Sequence, residues 1–102
     1  MEVQAASRHL ERAHALRRQH LGARHPETLH TAHSLFWAYQ NADRVSEAVA
    51  LGEEVVRLRT EVLGREHPDT LHSLDKLAVS YYSAAGRVED AVRIYEEVVR
   101  LN

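Results

Sequence analysis

The phrase Leu21-Gly22-Ala23-Arg24-His25-Pro26-Glu27-Thr28-Leu29-His30 returns 42 positions later as Leu63-Gly64-Arg65-Glu66-His67-Pro68-Asp69-Thr70-Leu71-His72. A unit this short cannot bury its apolar face alone and must stack on copies of itself, which makes a solenoid. Solenoids offer extended surfaces rather than enclosed pockets, so the repeat points to binding before catalysis. The duplication runs beyond the phrase. Residues 21–39 against 63–81 give nine identities in 19 positions, and 44–58 against 87–101, now at a shift of 43, give ten in 15. One residue is therefore inserted in the turn Tyr82-Ser83-Ala84-Ala85-Gly86, relative to Gln40-Asn41-Ala42-Asp43.

Each copy reads as two helices. Pro26 and Pro68 suit the first helical position, where no amide proton is needed, and Glu27 and Asp69 follow at the positive helix end. His25 and His67 fall at the N-caps. Leu29, Ala32, Leu35, Phe36 and Tyr39 recur every three or four positions and predict a one-faced helix over about 26–41, with a twin over about 68–84. These are the A-type helices. The B-type helix of copy one carries Ala48, Leu51, Val55, Leu58 and Val62, with Val49 and Val56 widening the stripe. Glu53 with Arg57, Glu89 with Arg93 and Glu96 with Arg100 have the i,i+4 spacing of ion pairs on solvated faces. Gly22 and Gly64 mark helix ends. Residues of about 3–20 share the B-type pattern through Ala6, Ala13 and Leu16, so five helices in the order B-A-B-A-B are expected, beginning and ending mid-repeat.

With Leu35 taken as a core residue, the series Leu35, Tyr39, Ala48 and Leu58, with Leu77, Tyr81, Gly86, Ala91, Tyr95 and Leu101 in copy two, resembles the tetratricopeptide repeat. The 42-residue spacing and the Leu-Gly-x-x-His-Pro-x-Thr-Leu phrase are similar to the longer variant of kinesin light chains and of many bacterial multidomain signalling proteins. The usual repeat is about 34 residues, and the surplus amounts to about one further turn on each helix. The resemblance implies an all-α solenoid of antiparallel helix pairs that mediates protein interaction. Copy one departs from the pattern. Phe36 stands where the family has a small residue and Gly52 where it has a bulky aromatic, whereas copy two is regular with Ala78 and Tyr95. A volume exchange is expected, the Phe36 ring filling the space that Gly52 leaves. The Asn pair by which kinesin-type relatives clamp cargo peptides is replaced by His33 and Ser34, then Asp75 and Lys76, so that clamp does not transfer.

At 102 residues the chain is one domain, 1–102, with repeats over about 21–62 and 63–102. It has no Cys, no apolar run of the roughly 20 residues that cross a bilayer and no apolar signal core, and the expectation is a soluble, unexported, cytoplasmic protein. Formal charge is −2, turning to +6 if all eight His take a proton. The arginines Arg8, Arg12, Arg17, Arg18 and Arg24 have no interleaved aromatic to stack on bases, so nucleic acid is not an expected partner. With no Gly-rich phosphate loop and no serine in a nucleophile-elbow context, neither catalysis nor a cofactor is expected. His30 and His33 stand at i,i+3, with His72 equivalent to His30 in the next repeat, but no carboxylate or Cys completes a familiar spacing, and no metal site is assigned. His9, His14 and His20 read as surface residues.

The resemblance places the A-type helices on a concave face. By spacing, His30, His33, Ser34, Trp37, Gln40 and Asn41 from copy one should point there, with His72, Asp75, Lys76, Val79, Tyr82 and Ser83 from copy two. This mixture of aromatic, amide, hydroxyl and charged groups suits a peptide-binding groove. Trp37 is the expected anchor, the alternative being that it packs between repeats. Asp75 and Lys76 are either ligand contacts or solvated residues. A second reading is self-association into a homo-oligomer, because the last helix keeps Val92, Val98, Val99 and Leu101 with no further helix to cover them.

Overall fold

The computed structural model describes residues 2–84 and 86–101, the side chains of 2–5 excepted. Met1, Asn102 and Ala85 of the inserted turn lie outside the described residues. Five helices follow in order: α1 (Glu2–Leu21), α2 (Pro26–Asn41), α3 (Val45–Leu63), α4 (Pro68–Ser83) and α5 (Val88–Leu101). This is the all-α B-A-B-A-B arrangement, with α2 and α4 of A type.

The repeated phrase builds the same joint twice. The His25 Nδ1 accepts the Glu27 amide proton at 3.1 Å, and the His67 Nδ1 accepts that of Asp69 at 3.1 Å. Each imidazole thus satisfies one of the amides that a helix start leaves unpaired. Just upstream, Gly22 and Gly64 hold φ of 92° and 98°, where a Cβ would be strained. The twin A-type helix stops at Ser83 because Ala84 is already extended (φ −80°, ψ 132°).

Every helix packs on its chain neighbours. In addition α2 touches α4, whereas α1, α3 and α5 do not touch one another among the described residues. Helices that approach on one side and splay on the other curve the array, with α2 and α4 on the inner side. Leu35, Phe36, Tyr39, Leu74, Leu77, Ala78 and Tyr81 from the A-type helices meet Ala48, Val49, Val56 and Ala91 from the B-type helices in one core. Phe36 is fully buried, and a Cβ on Gly52 would lie 2.8 Å from its Cε1 and 3.0 Å from the Cδ1 of Leu77. The ring fills the space a side chain at 52 would need.

The expected surface ion pairs do not form. Glu53 pairs instead with Arg87 (3.3 Å), Arg57 with Glu61 (3.3 Å) and Arg93 with Asp90 (3.8 Å). Arg57 and Arg93 find other acids on their own helices, at i+4 and i−3, and Glu53 is taken by Arg87 of the following turn; exposed pairs are worth too little to hold one geometry.

Thr28 and Thr70, in equivalent places, are fully buried, and neither Oγ1 has a hydrogen-bond partner among the described residues. An unpaired buried hydroxyl costs about 1–3 kcal/mol, and valine has nearly the same shape. Thr28→Val and Thr70→Val should therefore each raise stability by about 1 kcal/mol in urea melts. Unchanged or lowered midpoints would show that these hydroxyls are satisfied.

Candidate interaction surface

The inner face is floored by side chains that link α2 to α4. The Gln40 Nε2 donates to the Ser83 Oγ at 3.0 Å, and the buried Ser80 Oγ donates back to the Gln40 Oε1 at 2.8 Å. The Lys76 Nζ stands 4.3 Å from the Trp37 ring centroid, a cation–π contact, while Phe36 meets Trp37 edge to face. Trp37 is half-buried, with Lys76 over its ring and Phe36 against its edge. His33, Ser34, Gln40, Asp75, Lys76 and Val79 are likewise half-buried, and His30, Asn41, His72, Tyr82 and Ser83 are exposed. Tyr82, with 66% of its surface open, is the most accessible aromatic side chain of this face.

Beneath the floor lies a polar chain that sequence spacing did not reveal. Arg59, only 6% exposed, donates through one guanidinium nitrogen to the Ser73 Oγ at 2.8 Å and to the Asp69 carbonyl at 3.1 Å. Ser73 lies 3.0 Å from the His33 Nδ1. The Ser73 hydroxyl thus accepts from Arg59 and shares a second hydrogen bond with the His33 Nδ1, whose direction is set by the tautomer of the ring. Burial first, then the nearby cations Arg59, His72, His30 and Lys76, push the His33 pKa down to about 4. The device occurs twice, for Arg17 donates to the Thr31 Oγ1, which itself donates to the Glu27 carbonyl at 2.9 Å. The 42-residue shift relates Arg17 to Arg59 and Thr31 to Ser73, so the alignment held this signal unrecognised. Although the His33 and His72 rings approach to 4.8 Å, no group of three or more His, Asp or Glu suited to a metal occurs among the described residues.

A second duplicated device joins successive hairpins. The Tyr39 hydroxyl donates to Glu11 of α1 at 2.5 Å, and the Arg44 guanidinium lies 4.5 Å from the tyrosine ring centroid and 3.7 Å from Glu11. One repeat later Tyr81 donates to Glu53 of α3, and Arg87 lies 4.4 Å from that ring and 3.3 Å from Glu53. Burial and the carboxylate bond push the Tyr39 phenol up to about 12 and that of Tyr81 higher still, so both remain donors at physiological pH. The sequence showed the tyrosines as core residues, but Glu53 read as part of a solvated face.

A tetratricopeptide-repeat family model matches residues 38–102, nearly two-thirds of the chain. The chain belongs to the tetratricopeptide repeat family. A second tetratricopeptide-repeat model matches residues 2–27. Among solved structures, the chain is similar to a Podosopora anserina protein described as a kinesin light chain with nearly identical TPR-like repeats: TM-score 0.89, 40% identity, over 97% of this chain and 46% of that one. A single-substitution variant of the same protein matches with TM-score 0.90 and 39% identity over the same shares. This chain thus spans about half the length of the structures it matches. No curated protein matches it. Tetratricopeptide repeats generally mediate protein–protein interaction.

Helix α5 of this TPR chain differs from expectation. Val92 and Val99 on α5 are exposed, but Val98 packs against the core and Leu101 is half-buried. Val98 lies on the core-facing side of α5, which composition alone cannot separate from the outer side. Val88, and Tyr95 that the sequence marked only as a repeat-signature residue, are exposed with Val92 and Val99. No helix among the described residues is long and apolar enough to cross a membrane.

Proposed function

We propose that the chain is a non-catalytic binding module whose inner face, lined by α2 and α4, takes a peptide segment of a partner protein. The observation that carries this reading is the exposed Tyr82 beside a floor whose polar groups are already paired across the two helices through Gln40, Ser80 and Ser83. Such a floor is rigid, and an open aromatic above it adds contact area at small entropic cost. Trp37 supplies a second apolar surface once Lys76 swings aside, and the exposed Asn41, His30 and His72 offer hydrogen bonds to an extended backbone.

The test is selection from a phage-displayed library of random peptides of about a dozen residues, followed by titration of the enriched sequences. Enriched peptides should lose at least about tenfold in affinity to Tyr82→Ala combined with Trp37→Ala, and nothing to Val99→Ser on the end face. Failure to enrich any sequence, or enriched peptides indifferent to both inner-face changes, would remove the proposal.

A further inference from the structure

On the outer side of α4, the B-type helices α3 and α5 do not touch, and a groove of about 560 Å³ opens between them. Small-molecule sites typically hold roughly 300–1,000 Å³. The floor is apolar, formed by Val56, Leu74, Leu77 and Ile94, and the walls carry Arg57, Arg65 and Arg93. The acids of the groove have settled partners. Glu53 takes the Tyr81 hydroxyl and Arg87, Asp90 takes Arg87 at 2.7 Å, and Glu61 takes Arg24 at 2.5 Å. Arg57 and Arg93, with 59% and 75% of their side chains open, share acids that other arginines already hold, at 3.3 Å and 3.8 Å. The repeat supplies an internal control. Between α1 and α3 the equivalent places keep Glu11 for Glu53, Leu35 for Leu77, Tyr39 for Tyr81 and Glu47 for Asp90. The three arginines are not kept. Ala15, Ala23 and Ala50 stand at the places of Arg57, Arg65 and Arg93, and Arg18 stands at that of Thr60. The fold does not require the three, because the first repeat packs the same hairpin without them.

We infer that this outer groove binds a small organic carboxylate with an apolar body. The body lies on Val56, Leu74, Leu77 and Ile94, and the head group accepts hydrogen bonds from Arg57 of α3 and Arg93 of α5, which reach it from opposite walls. Charge complementarity selects the anion. An exposed guanidinium that shares its acid gains a partner of its own, and its planar fork matches a carboxylate through two parallel bonds. The apolar floor selects the body, because a head group alone would leave that surface in water. The groove lies on the side of α4 away from Trp37 and Tyr82, so it stands apart from the inner face.

Isothermal titration of the full chain with decanoate and with naphthoate, a flexible and a rigid body of similar size, is the test. Saturable binding of at least one below about 1 mM is expected, with its neutral carboxamide at least about tenfold weaker. Arg57→Ala combined with Arg93→Ala, which copies the first repeat, should weaken the carboxylate at least about tenfold and leave the carboxamide unchanged. Helical circular dichroism should stay that of the wild type, since exposed pairs contribute little to stability. Where the double change disturbs folding, Arg93→Gln alone, at the more open of the two side chains, should still weaken the carboxylate at least about threefold. Backbone NMR signals of Thr60, Leu77 and Ile94 should shift on titration, whereas Tyr82→Ala should change nothing. No saturation by either carboxylate up to about 1 mM overturns the inference. So does a carboxamide that binds as tightly as its acid, or carboxylate binding that the arginine changes leave intact.

Discussion

Gly52→Phe is expected to cost more than about 4 kcal/mol alone and far less when combined with Phe36→Ala. The new side chain begins with a Cβ 2.8 Å from a fully buried aromatic ring that has nowhere to move, so the substitution overpacks the core. Phe36→Ala alone should cost about 3–5 kcal/mol, since it empties the same space. Together the two changes recreate copy two, where Ala78 is fully buried and the bulky side chain, Tyr95, sits on the B-type helix. A double-mutant cycle in urea should return a favourable coupling of at least about 3 kcal/mol. Where a single variant does not fold, recovery of helical circular dichroism in the double variant reports the same coupling. Additive losses, or a stabilising Gly52→Phe, would show that ring and glycine do not share one volume.

Arg59→Ala is expected to cost about 3 kcal/mol at neutral pH, because it leaves Ser73 and the Asp69 carbonyl without their donor and opens space beneath the inner face. Arg59→Met, which keeps the packed stem, should cost about 1 kcal/mol. Arg17→Ala, the equivalent change on exposed α1, should be within about 0.5 kcal/mol of neutral. The same cluster sets a pH dependence. Folded His33 titrates at about 4 against 6.5 for a free imidazole, so as pH falls the unfolded chain takes up this proton first. Stability from the neutral ring is complete above about pH 6.5 and is lost progressively toward pH 4. Arg59→Met removes the charge that lowers the His33 pKa most after burial, and should flatten this fall, and His33→Asn should remove the His33 share of it. Urea midpoints at pH 7 and pH 4.5 decide the matter. Equal pH slopes in the wild type and His33→Asn would show that His33 is not the titrating group.

The helices were legible because periodicity and capping are local. Pro26 and Pro68 start α2 and α4, Asn41 ends α2 as expected, and Leu35 and Leu77 point inward. Phe36 and Gly52 could be matched as partners because the repeat supplied an internal reference, copy two, against which both departures stand out. The inner-face residues were placed on the right helices, but their exposure was not legible. Trp37 is half-covered by Lys76 and Phe36, and Tyr82 takes the more open place. On α5, an apolar stripe wide enough to face two ways concealed that Val98 turns in while Val88 and Tyr95 turn out.

The amino-acid sequence by itself determined the repeat, the number and order of helices, their caps and the identity of the core stripe, all of which follow from hydrogen-bond geometry and apolar spacing within some forty residues. Only the tertiary structure decided which charges meet. Arg87 reaches Glu53, Arg59 reaches Ser73 and His33 loses its proton because the distances between helices, not the spacing along one of them, set the Coulomb energy and the desolvation at each group.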